Sequence, residues 1–314
     1  MIFLAVALAL AALAVVTVIG TAEIERGYPP AGRFVDVEGG RVHVLELGAP
    51  EAPPVVLLHG ASGNLGDMRL ALGERLAARY RVILIDRPGH GWSDRPGGRD
   101  DASPARHAAL IHQALGKIGV TKAIVLGHSW AGALATAYAL AYPGETAGLV
   151  LLAPVTHPWP GGVSWINNIV ATPVIGPMIA RTVILPAGYF LIASGIEAVF
   201  APQSPPPDYA RRTGVDMILR PTEFIANAQD LVDLKGFVTA QAPHYGEIKA
   251  PVAIIAGDDN DKVVSTKIHS RAIARQLPDA KLTVLPGVGH MVQYAAPDPI
   301  AEAIDRMAKT MPKN

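Results

Sequence analysis

The sequence of 314 residues contains no cysteine. Disulfides, thiolate metal sites and a cysteine nucleophile are therefore excluded together. Neither sign of charge is in excess, since 27 Lys plus Arg face 27 Asp plus Glu. With no long-range field, no arginine-rich run and no array of stacking aromatics, nucleic acid is excluded as an expected partner. Charge is also missing from the N-terminus: no charged side chain precedes Glu23, and residues 2 to 16 are all apolar. That run approaches the roughly 20 residues a bilayer-spanning helix needs, so residues 1–22 are expected to anchor the chain in a membrane. The rival is a cleaved signal segment, which would leave a secreted or periplasmic protein. Gly20 and Ala22 offer its small-x-small spacing, but a basic leading region is missing and the apolar stretch is too long. Arg26 stands close to Glu23 and Glu25, which leaves the orientation across the membrane open.

Beyond the connector at 27–32, "RFVDVEGGRVHVLEL" alternates apolar and polar residues on both sides of Gly39-Gly40, a β-hairpin pattern. The apolar runs "PVVLLHG", "RVILIDR", "AIVLGHS", "GLVLLAP", "PVAIIAG" and "KLTVLPG" follow, mostly separated by helical segments. Continuous Val/Ile/Leu runs with helical crossovers predict a parallel sheet covered on both faces. Ser103-Pro104, a capping residue followed by proline at the first helical position, opens one of these helices. Between about Val155 and Gly246 the rhythm breaks, with no strand run at the expected interval. The expected organisation is an anchor at 1–22, a core at 23–155, an inserted helical cap at 156–245 and a second core part at 246–314. The cap segment "INNIVATPVIGPMIARTVIL" is unusually apolar. It either packs on the core or, through residues such as Ile175 and Ile179, admits a substrate from lipid.

One polar residue stands at the tightest point of a strand-to-helix turn. In "VLGHSWAGAL", Ser129 is flanked by Gly127 two residues before it and Ala131 two residues after. A nucleophile on a strained elbow requires small residues at those positions, where strand and helix approach; a serine that merely capped the helix would not. Its hydroxyl needs a base, and the base an orienting acid, both on later strand ends. His290 in "LPGVGHMV" is the expected base. His43, His59 and His128 are expected to be structural, and His107, His112 and His269 fall in helical pattern as solvated or packed residues. The acid comes from "AGDDNDKVVS", where Asp258, Asp259 and Asp261 compete. Asp261 is preferred because Lys262-Val263-Val264-Ser265 is read as the start of the next helix, with Asp259 next in line. The cluster lacks the sixth-position Gly and terminal Glu of a calcium loop. The backbone N–H groups of Ala61, in "LLHGASGN", and of Trp130, after the serine, are the expected oxyanion donors.

In family order, "HGASG", "DRPGHGWSD", "GHSWAG", "GDDNDKVV" and "GVGH" resemble the α/β-hydrolase-fold serine hydrolases over about residues 33–310. The resemblance implies a mostly parallel central sheet with helices on both faces, a cap inserted after the sixth strand, and a Ser129-Asp261-His290 triad with an oxyanion hole at Ala61 and Trp130. It departs from the pattern at Ala131, which replaces the second elbow glycine, and at the acid loop, which carries one residue more than expected. A dehalogenase or epoxide hydrolase of this fold would carry Asp at the elbow. The expected activity is hydrolysis of an ester or related acyl bond of an apolar small molecule, with no metal and no organic cofactor. The alternatives are a carbon–carbon bond hydrolase of the same fold and a catalytically silent, membrane-tethered binding protein.

Overall fold

In the computed structural model, which describes residues 1–277 and 279–311, every expected strand run forms a strand. They are β1 (Arg33–Val37), β2 (Gly40–Leu47), β3 (Pro54–Leu58), β4 (Arg81–Ile85), β5 (Ala123–His128), β6 (Thr146–Leu152), β7 (Val252–Gly257) and β8 (Lys281–Leu285). They join in one sheet in the order β1-β2-β4-β3-β5-β6-β7-β8. β1 and β2 form the hairpin, β2 runs antiparallel to β4, and the remaining neighbours are parallel.

Burial explains the composition of the strands. Every residue of β5, β6 and β7 is buried, because helices cover both faces of the sheet. Helices Pro104–Lys117, Trp130–Ala141 and Pro221–Gln241 contribute to one core. Helix Pro297–Ala308 and the helical turns at residues 65–76 contribute to the other. Ser103 caps its helix as the sequence suggests, its side chain accepting from Arg106 N at 3.1 Å. This is the α/β-hydrolase fold.

The register decides where chemistry can sit. Leu58 pairs with Gly127, His128 with Leu152, and Gly257 with Leu285. The carboxyl ends of β3, β5, β6, β7 and β8 therefore form one edge, the edge at which open α/β sheets bind ligands.

The interval between β6 and β7 holds helices and, among the described residues, no strand. A helical run from Ile175 to Phe200 with a mean hydropathy of 1.8 over its most apolar window is only partly packed. Its apolar residues divide between packed and exposed positions. Ile179 is half-buried and packs with Val170, Ala180 and Ile184, whereas Ile175 is 52% exposed. Val174, Met178, Phe190 and Leu191 are exposed as well. Ile179 thus belongs to the cap's own core, because its turn of helix faces the Phe224–Ile225 side of helix 221–241.

The apolar N-terminal segment is one helix, Ile2–Gly27, with a mean hydropathy of 3.0 over its most apolar window. At 1.5 Å per residue it is about 39 Å long, enough for a hydrocarbon core of roughly 30 Å. Its C-terminal part is seated on the cap: Ile24 clusters with Leu185, Met217, Ile218 and Leu219, and Glu25 pairs with Arg220 at 3.4 Å.

Candidate active site

Ser129 sits where β5 turns into helix Trp130–Ala141, with φ 55° and ψ −118°. An L-residue is strained there, and the surrounding hydrogen bonds hold it in place. Ser129 N–H donates to Leu152 O at 2.9 Å, and its carbonyl accepts from Gly132 N and Val155 N. Gly127 is required because a β-carbon there would lie 2.2 Å from Ala131 O. The smallness of residue 127 thus comes from a close contact between the strand and the backbone of the helix. Although Ser129 occupies the N-cap position, its side chain makes no capping bond. The hydroxyl is left for another use.

His290 and Asp261 are brought together from the loops after β8 and β7. His290 Nδ1–H donates to Asp261 Oδ2 at 3.0 Å, with both side chains buried. The other carboxylate oxygen accepts from Val263 N at 2.9 Å and Val264 N at 2.8 Å. Burial alone would raise the Asp261 pKa, but the His290 hydrogen bond and charge and the two backbone donors outweigh it and hold the carboxyl below its ordinary value. The other two aspartates point elsewhere. Asp258 is partly exposed and accepts from Gly287 N and Asn260, and the backbone carbonyl of the exposed Asp259 accepts from Lys262 Nζ.

One expectation about this loop is corrected. Lys262-Val263-Val264-Ser265 does not begin a helix; bends and turns fill residues 262–269, and the helix spans Ser270–Gln276. Asp261 is fixed by the loop wrapping back so that two N–H groups meet its carboxylate, a local side-chain-to-backbone pattern. His269 likewise lies just outside the helix, with its Nδ1 accepting from Thr156 N and His157 N.

Several of the remaining histidines are structural. His128 and His290 have ring centroids 4.8 Å apart, which sets the His290 imidazole beside the elbow. His128 Nε2–H donates to His290 O at 3.2 Å, and burial together with the His290 charge pushes the His128 pKa down to about 3. His43 bonds to Asp86 and His59 to Gly60 O. His107 is fully buried against Trp130, and His112 stacks on Tyr142.

Ala61 and Trp130 present N–H groups that donate to no acceptor among the described residues. Gly60, immediately before Ala61, lies against the serine, since a β-carbon there would be 3.1 Å from Ser129 Cβ. Ser62, at φ 56°, is clamped from the cap side: its N–H donates to Asn227 Oδ1 at 2.7 Å, and Asn227 Nδ2 donates to Ser62 Oγ at 3.1 Å. Asn227, and the buried Arg87–Asp230 pair beneath Trp130, were not singled out by sequence reasoning. Arg87 lies in "DRPGHGWSD", so the motif marked it without a role. Asp230 carried no local signal beyond being an acid in the middle of a long helix.

A family model described as alpha/beta hydrolase fold matches residues 53–297. Over 269 residues the chain is 28% identical to a 2-hydroxy-6-oxo-6-phenylhexa-2,4-dienoate hydrolase of Burkholderia cepacia, covering 82% of this chain and 87% of that protein. It is also 28% identical to haloalkane dehalogenase 2 of Mycobacterium tuberculosis over 292 residues, 88% of this chain and 94% of that one. Among solved structures, a membrane phospholipase A described as a bacterial virulence factor superposes with a TM-score of 0.69 at 22% identity. It covers 99% of this chain and 97% of its own.

Proposed function

This chain belongs to the α/β-hydrolase fold family, and on that footing we propose that it is a serine hydrolase cleaving an ester or related acyl bond of an apolar small molecule. The observation that carries the reading is a strained serine with an uncommitted hydroxyl on an elbow whose preceding residue, His128, has its ring 4.8 Å from that of the Asp261-bound His290. His290, held by Asp261 in the tautomer that leaves Nε2 free, takes the Ser129 proton as the hydroxyl oxygen attacks the substrate carbonyl. Charge developing on the carbonyl oxygen is met by the N–H groups of Ala61 and Trp130. The protonated histidine then gives its proton to the leaving alcohol. Water, activated by the same histidine, hydrolyses the acyl-enzyme. Ser129 is 8% and His290 2% exposed, so the reaction takes place in a site nearly closed to solvent.

The N-terminal helix anchors the enzyme to a membrane in this reading. Its length, its exposed apolar surface and its seat on the apolar cap support it. An anchored enzyme with an apolar cap suits a substrate that partitions into lipid. A carbon–carbon bond hydrolase is the second reading, favoured by the name of the Burkholderia cepacia relative. The haloalkane dehalogenase relative carries less weight for this chain, since Ser129 stands where that chemistry would require a carboxylate.

The test uses the full chain in detergent micelles, because residues 17, 20 and 24 are buried. A series of p-nitrophenyl esters of increasing acyl length should be turned over. No ester turnover, combined with cleavage of a vinylogous 1,5-diketone, would favour the second reading. Absence of both from folded protein would favour a silent binding protein.

A further inference from the structure

The peptide joining Gly60 to Ala61 is gripped from its buried side. Its carbonyl accepts from His59 Nδ1 at 2.9 Å and from Arg87 Nη2 at 3.3 Å. In a trans peptide the C=O and N–H point in opposite directions. Two donors pulling on Gly60 O therefore turn the Ala61 N–H away from the core and toward the serine, against which Gly60 lies. Drawing electron density to that carbonyl also makes the N–H of the same peptide a stronger donor.

The same guanidinium holds the second oxyanion donor. The Arg87 carbon lies 4.1 Å from the centre of the Trp130 ring, over its face. Trp130 Nε1–H donates to Asp230 O at 3.1 Å, and the Asp230 carboxylate accepts from Arg87 Nη1 at 2.8 Å. Arg87, Trp130 and Asp230 are each almost completely buried. Arg95 Nη1 meets the other Asp230 oxygen at 2.8 Å, so the carboxylate lies between two guanidinium groups. Arg87 Nη2 also donates to His90 Nε2 at 3.0 Å, which fixes the fork's orientation. A compact ammonium could not make these contacts at once, whereas a planar guanidinium can.

We propose that Arg87 is a positioning residue for the oxyanion hole, one side chain that sets both the Gly60–Ala61 peptide and Trp130 so that their N–H groups converge on the oxygen of a substrate carbonyl. This rests on the serine hydrolase reading and extends it to a residue that touches neither substrate nor triad. The covalent chemistry is unchanged; Arg87 forms and breaks no bond.

The test compares the full-length enzyme in micelles with Arg87→Gln, in which Arg95 still pairs with the Asp230 carboxylate, and with the double variant Arg87→Gln/Asp230→Asn, which removes the Arg87–Asp230 pair whole. Active enzyme is counted first by stoichiometric labelling of Ser129 with a fluorophosphonate. Per labelled site, kcat on a p-nitrophenyl ester should fall about 10- to 100-fold, less than the loss of a whole oxyanion donor. KM should stay within about 3-fold. An alkyl trifluoromethyl ketone, which adds to the serine as an oxyanion, should lose affinity by the same factor as kcat, while the methyl ketone of equal length keeps its affinity. Unchanged kcat per labelled site in the double variant, or equal losses for both ketones, would overturn the role of Arg87 while leaving the hydrolase reading in place. Failure of the wild-type enzyme to label at Ser129 would overturn the hydrolase reading, and this inference with it.

Discussion

Gly20 of the N-terminal helix lies so close to the cap that a β-carbon on it would stand 2.7 Å from Leu185 Cδ2. The N-terminal helix is thus a packed element of the fold as well as an apolar rod, since Leu185 is fully buried beneath it. Gly20→Leu should force the helix off the cap, at a cost of about 1–3 kcal/mol for overpacking. The expected result is a lower Tm in micelles and faster proteolysis in the 27–32 connector. An unchanged Tm would mean that the helix does not rest on Leu185 in solution.

Asp261 is the one acid of its loop hydrogen-bonded to His290. Asp261→Asn should lower kcat by roughly 10⁴-fold by disturbing the imidazole tautomer. Asp258→Asn and Asp259→Asn should remain within about 3-fold of wild type, as exposed substitutions away from the site usually do little. Steady-state kinetics on a short ester decide the matter, and a loss confined to Asp259→Asn would move the acid there.

The parts of this site that were legible in the sequence are those fixed by local rules. Gly127 beside Ser129 reports a tight strand-to-helix turn because the helix backbone at Ala131 leaves no room for a β-carbon there. The strands were legible because two-sided burial leaves continuous apolar runs. The grip on Asp261 was not, since Val263 and Val264 look like the start of a helix and act instead as N–H donors in a loop. Arg87 and Asp230 meet across 143 positions of sequence, and no periodicity connects them. Ile175 and Ile179 look alike in a helical run, yet only the packing of helix 221–241 makes one exposed and the other half-buried.

Glu223 makes stability depend on pH. It is buried with Oε1 unpartnered, while Oε2 accepts from Arg220 at 2.6 Å. Burial pushes its carboxyl up to about 7, against the pull of the Arg220 guanidinium. The folded chain then holds a proton that the unfolded chain releases near 4.5. The resulting stabilisation is present below that value and is lost as pH rises through the folded pKa. Glu223→Gln does not titrate, so its Tm relative to wild type should climb between pH 5 and pH 8. A difference that stays flat, or falls, would contradict the protonated, buried state of Glu223.

Phe190 and Leu191 are 87% and 64% exposed on the cap. If this face meets lipid, a Phe190→Asp/Leu191→Asp variant should lose about 10-fold in activity on a long-chain ester presented in vesicles, the worth of one buried large apolar side chain. Activity on the acetate ester should change little. Ile179→Asp, at a packed position, should lower the Tm and reduce both activities together. Equal losses on both esters in the Phe190/Leu191 variant would assign those side chains to packing.

The central claim is that Ser129 is a nucleophile activated by His290. Mass spectrometry of the full-length protein after treatment with a fluorophosphonate measures it directly. The account predicts one adduct per chain, located on Ser129, absent in Ser129→Ala and formed at least about 10³-fold more slowly in His290→Ala, as expected when triad members act as a unit. Folded wild-type protein that carries no adduct on Ser129, or a His290→Ala variant labelled as fast as wild type, would contradict it.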